Sequence, residues 1–159
     1  MGEIMYKHQE TNEALFTLHD CRANRIKYKD GMISFYFPDG IWVLNGHEAN
    51  DTGNTVRTDA AKVRYELAYP DDDAEVYVYK TKSADKAIRK EWKLKKLMQK
   101  VNDGECELEF LYQYTNGVGR IIECELRTNE KPYRRECNLK LLTKEVTYLW
   151  NDLRPDATW

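Results

Sequence analysis

The chain has 159 residues, 42% of them hydrophobic and 33% charged, and a formal net charge of −2. That length and composition suit one domain with its own core, and they exclude disorder and dependence on disulfides or metal as starting points. A charge so close to zero does not by itself point to nucleic acid or a membrane surface.

The opening MGEIMYKHQETNEALF has no basic stretch leading into an apolar run, so it does not read as a signal peptide. Tyr6 stands where an N-myristoylation motif needs Ser or Thr. Residues 1–17 are expected to be poorly ordered. No run approaches the ~20 apolar residues of a membrane span. The expected compartment is the cytoplasm, where the four cysteines stay reduced.

Strict alternation begins after Cys21. Ile26 and Tyr28 lie two apart, Asp30-Gly31 signals a turn, and MISFYF places Ile33, Phe35 and Phe37 on one face. Pro38-Asp39-Gly40 turns the chain again before IWVLN. Residues 22–45 therefore read as a three-stranded meander. GHEANDTGN is a polar loop. Val63, Tyr65, Leu67 and Tyr69 form the next strand, PDDDAE is an acidic turn, and Val76 to Tyr79 form another strand. Together these make an N-terminal meander over 22–80.

The period changes after Ser83. Leu94, Leu97, Met98 and Val101 fall at i, i+3, i+4 and i+7, as in an amphipathic helix. Ile88 and Trp92 are also four apart, which allows the helix to start anywhere from Ala84 to Trp92; Asn102-Asp103-Gly104 ends it. Period two then returns in ECELEFLYQY, GRIIECELRT and YRRECNLKLL, with EVTYLW as a fourth strand of a C-terminal meander over 105–151. The predicted fold is α+β, mainly antiparallel β in two meanders, with one amphipathic basic helix packed on a sheet. The whole chain, 1–159, is read as one domain.

Residues 18–21 (LHDC), 37–40 (FPDG), 101–110 (VNDGECELEF) and 148–153 (YLWNDL) resemble a pattern in small uncharacterised β-rich bacterial proteins, some of them immunity-like or associated with mobile elements. The resemblance implies a small binding protein and carries over no catalytic residues.

Four groups of residues invite a chemical reading. In LHDC, an extended chain turns His19 and Cys21 to one face and Asp20 to the other. A thiolate nucleophile needs a base within hydrogen-bond reach, and His19 or the more distant His47 would have to serve. The alternative is a strand entry with Cys21 buried. Cys106, Cys124 and Cys137 recur in ECEL, ECEL and ECNL, but none of the C-x₂₋₄-C spacings of a zinc site occurs, so they read as core residues and no metal is expected.

Charge pairing between the last two of these strands favours a register with Thr128 opposite Arg135. That setting places Glu123 against Lys140, Arg127 against Glu136 and Cys124 against Leu139. The alternative, Thr128 opposite Tyr133, sets Cys124 against Cys137 and produces two like-charge pairs. In the preceding hairpin, pairing Glu109 with Arg127 creates a row of solvated acids and arginines on the outer face, without the apolar pocket a catalytic carboxylate needs.

The basic segment from Lys80 to Lys100 carries nine Lys and Arg against Asp85 and Glu91. Lys86, Arg89, Lys90, Trp92, Lys93 and Lys96 are its candidate partner-binding residues. Basic and aromatic groups together also suit single-stranded nucleic acid, but the absence of overall positive charge favours an acidic protein partner. No motif for a phosphate, cofactor or hydrolase site is present. The reading is a non-enzymatic cytoplasmic binding protein, immunity-like, with a Cys21 enzyme and a nucleic-acid binder as alternatives. No cofactor and no membrane is expected, and the oligomeric state is open.

Overall fold

The computed structural model describes residues 5–69 and 74–159. Most of the predicted PDDDAE turn lies outside them. The strands are β1 (His8–Glu10), β2 (Phe16–Thr17), β3 (Cys21–Ala23), β4 (Arg25–Lys29), β5 (Met32–Phe37), β6 (Trp42–Val43), β7 (Val56–Thr58), β8 (Ala61–Leu67), β9 (Glu75–Ser83) and β10 (Lys86–Trp92). The helix α1 (Leu94–Asn102) follows, then β11 (Glu107–Asn116), β12 (Gly119–Arg127), β13 (Arg134–Trp150) and β14 (Leu153–Thr158). The fold is a β-rich, antiparallel α+β one with a single α-helix among the described residues. No helix among them is long and apolar enough to cross a membrane.

The strands do not form two separate meanders. A ten-stranded sheet runs β3-β11-β12-β13-β8-β5-β4, with β1 and β9-β10 also joined to β13. A four-stranded sheet, β14-β7-β6-β2, stands beside it. The predicted third strand of the first meander, IWVLN, turns away from β5: its β6 pairs with β2 and β7 instead. Among the described residues before 18, His8–Glu10 pairs with Tyr148–Trp150 and Phe16–Thr17 pairs with Trp42–Val43, so these stretches are part of the sheets.

β13 joins the two predicted C-terminal strands into one of 17 residues. Cys137, Leu139, Leu141 and Thr143 are buried along its first part, and Val146, Tyr148 and Trp150 along its second. The buried parity switches from odd to even at an irregularity between Thr143 and Glu145. One extra residue in a bulge moves every later side chain to the opposite face, which is why YRRECNLKLL and EVTYLW read as two strands.

The β12–β13 register is the one the charge count had disfavoured. Cys124 faces Cys137, Glu125 faces Glu136 and Arg127 faces Arg134. Thr128 closes the intervening loop, donating its backbone N–H to Tyr133 O at 3.0 Å and its hydroxyl to Glu130 O at 2.7 Å. Of these charges, Arg127 finds its partner on β11: its Nε donates to Glu109 Oε2 at 3.1 Å, and Arg22 Nε donates to the other oxygen, Oε1, at 3.0 Å. Glu109 is only 5% exposed, so it is a buried, doubly paired carboxylate rather than one of a solvated row. Its direct opposite on β12 is Glu125, and an irregularity between Phe110 and Tyr112 resets the hairpin so that its turn is Gly117-Val118.

The helix begins only at Leu94. Ile88 and Trp92 sit on a strand, where a separation of four equals two pleats as readily as one helical turn. Leu94, Leu97 and Val101 are buried under the sheet, as the amphipathic stripe requires. At the C-terminal end, Asn102 accepts the Ile26 N–H at 2.8 Å and donates to Ile26 O at 2.9 Å. It takes the place of a neighbouring strand on the edge of β4. All four cysteines are buried in the core as free thiols.

Candidate functional site: the basic cleft

β9 and β10 make a hairpin turned at 84–85, with Lys90 opposite Val78 and Trp92 opposite Val76. Directly opposed residues share a face. Val76 and Val78 are buried, so Trp92 is drawn half into the core while Lys90 beside it remains exposed. The chain then enters α1 through Lys93, whose side chain makes no cap hydrogen bond. Lys96 and Lys100 follow Trp92 at steps of four, on the side of the helix nearest its ring. Lys96 Nζ stands 4.5 Å and Lys100 Nζ 5.7 Å from the ring centre. Both are cation–π contacts.

The loop between β12 and β13 closes the other side. Trp92, Lys96 and Lys100 together with Lys131 and Arg135 line a cleft of about 570 Å³, in which Glu105 and Glu130 are the acids. Lys100 pairs with Glu105 at 3.0 Å. Among the described residues, no other cation of the 80–100 segment forms an ion pair. Cys106 lies at the cleft wall, where burial pushes its thiol up to about 11 despite the opposing field of Lys100.

The predicted binding residues are thus only partly gathered. Trp92 and Lys96 come together in the cleft, Lys90 lies two residues before Trp92 on the same face of β10, and Lys93 is at the junction. Arg89 points to the opposite face of the hairpin, over the Tyr77 ring at 4.6 Å. Lys86 stands at the irregular end of the hairpin beside the turn. Lys131 and Arg135 were not predicted. They enter through the β12–β13 register, which the local pattern does not set.

The other candidate residues do not assemble. Cys21 is fully buried, its Sγ 3.7 Å from His19 O, and burial pushes its thiol up to about 12. His19 donates from Nδ1 to Leu111 O at 2.8 Å, and its Nε2 lies 3.4 Å from the Asp20 carboxylate. His47 is engaged elsewhere: Nδ1 accepts the Ala49 N–H at 2.9 Å, so Nε2 carries the proton and donates to Glu10 Oε2 at 2.5 Å. No described contact joins the Cys21 sulfur to either ring. Among the described residues, no group of three or more His, Cys, Asp or Glu is arranged to hold a metal ion.

Comparison with known proteins gives no match to a protein-family model, a curated protein or a solved structure.

Proposed function

We propose that this chain is a non-enzymatic, immunity-like binding protein that engages an acidic protein partner through the cleft of Trp92, Lys96, Lys100, Lys131 and Arg135, with Lys90 beside it on β10. The observation that carries the reading is the set of cations, only Lys100 of them ion-paired among the described residues, around one half-buried tryptophan. Such a surface attracts a negative partner at long range and offers a rigid aromatic anchor at contact, where Trp and Arg are favoured.

Two features weigh against the alternatives. Base stacking needs an open ring face, and Lys96 and Lys100 already stand over Trp92. Cysteine chemistry needs a thiolate, and Cys21 is held as a buried thiol that makes no described contact with an imidazole ring.

The test is affinity capture from the native host, followed by reconstitution of the purified pair. A stoichiometric partner with an acidic surface, lost when Lys93→Glu and Lys96→Glu are combined, supports the reading. No stoichiometric partner, or one that the double variant retains in full, contradicts it.

A further inference from the structure

A second cavity, remote in sequence from the basic segment, combines aromatic walls with a buried cation. It measures about 570 Å³ and is lined in part by Glu13, Phe16, Gln113, Arg120, Tyr148 and Trp159. That volume is in the ordinary range of small-molecule sites. Arg120 is 6% exposed and Tyr148 3% exposed. The Phe16 and Tyr148 rings stack face to face at 4.4 Å with only 5° between their planes, so they form one aromatic pair in this wall. At the mouth, Trp159 is 65% exposed and 5.5 Å from the His19 ring.

The hydrogen bonds at the floor leave donors in excess. Arg120 Nη2 donates to the Glu13 carboxylate, 2.8 Å from Oε1 and 3.0 Å from Oε2. Nη1 donates to Gln113 Oε1 at 2.9 Å, and Nε to Thr143 Oγ1 at 3.4 Å. Gln113 Oε1 also accepts from the Tyr65 hydroxyl at 3.2 Å. Two donors on that oxygen fix the amide's orientation and leave its NH₂ group without a partner among the described residues. The Tyr148 hydroxyl has no hydrogen-bond partner among them either, although its ring is buried in the cavity wall. Glu13, by contrast, sits on a short 3-10 turn with its side chain 44% exposed. It is a counterion that can swing into solvent.

We infer that this cavity binds a small planar carboxylate, whose acid group replaces the Glu13 carboxylate on Arg120 and takes hydrogen bonds from Gln113 and Tyr148 while its ring packs against the Phe16–Tyr148 pair. A cationic ligand does not fit the same floor, because Arg120 already holds both oxygens of the one carboxylate there. The site is independent of the basic cleft.

The test uses the full chain labelled with ¹⁵N and titrated with 2-naphthoate, and in parallel with the neutral 2-naphthamide. The indole N–H of Trp159 reports this cavity and that of Trp92 the basic cleft. Saturable movement of the Trp159 signal by the acid, with the amide weaker by about tenfold or more, is the expected result for a charge-assisted contact. Glu13→Gln removes the competing charge and keeps Arg120, so it should tighten naphthoate binding severalfold, whereas Arg120→Gln should abolish it. If Arg120→Gln fails to fold, Glu13→Gln decides. Equal affinity for acid and amide, weaker binding by Glu13→Gln, or no movement of Trp159 overturns the inference.

Discussion

Arg127 and Glu109 are bound at 3.1 Å across two strands, one pleat diagonal from direct opposition. Glu107 is the residue that faces Arg127. The diagonal lets one buried carboxylate serve Arg127 with one oxygen and Arg22 with the other. Glu109→Ala should therefore cost about 2 kcal/mol, the range for hydrogen bonds to charged groups. Urea unfolding of the variant measures it. A loss within experimental error would mean that the pair only decorates the surface.

Gly40 has φ +83°, and a Cβ there would lie 2.0 Å from the Thr58 carbonyl oxygen. Backbone approaches backbone at this point, so no side chain can yield. Gly40→Ala should lower stability by about 3 kcal/mol, from steric overlap together with the left-handed conformation. A thermal melt reads the effect. The same substitution at Gly53, which shares the positive φ but has open space around it, should cost only the smaller conformational share.

Much of the strand pattern was legible because one-sided burial writes a period of two. Ile33, Phe35 and Phe37, and Val63, Tyr65 and Leu67, are all buried as their alternation required. Tyr69 is not: it lies past the end of β8 and is 56% exposed. The helix start was misread because a spacing of four fits both periods. The register between β12 and β13 was misread because Arg127 takes its partner from the strand on its other side. Arg120 did leave a signal that went unused. It shares the parity of Ile122, Cys124 and Leu126 and so places a charge on the core face. Its partner Glu13 lies 107 residues away, and nothing local announces that pairing.

The four thiols should be nearly inert in the folded chain. Burial pushes Cys21 and Cys137 up to about 12 and Cys124 well above its ordinary value, so little thiolate exists at neutral pH. Alkylation followed by mass spectrometry should show slow labelling led by Cys106, and rapid labelling of all four in denaturant. Fast, selective labelling of Cys21 in the native chain would revive the enzyme reading.

Stability should fall at alkaline pH. A thiol raised on folding keeps its proton in the native state when the unfolded chain has already lost it. Its contribution is complete below the unfolded pKa of about 8.5 and declines by about 1.4 kcal/mol per pH unit above it, until the folded value is reached. Buried Tyr65 and Tyr148 are raised in the same way and steepen the loss above about pH 10. Urea midpoints between pH 7 and pH 10.5 should show a plateau and then a decline. Cys21→Ala should have a shallower alkaline slope than the parent chain, and an unchanged slope would mean that this thiol is not held protonated by the fold.

The basic cleft can be probed without its natural partner. The ¹⁵N-labelled chain is titrated in separate experiments with poly-L-glutamate and with oligothymidylate, at low and at physiological salt. The expected result is movement centred on the Trp92 indole and on the amides of Lys90, Lys96, Lys100 and Arg135, with the acidic polypeptide bound at least about tenfold more tightly than the oligonucleotide. Stronger binding of the oligonucleotide, or shifts that bypass Trp92, would contradict the assignment of this cleft to an acidic protein.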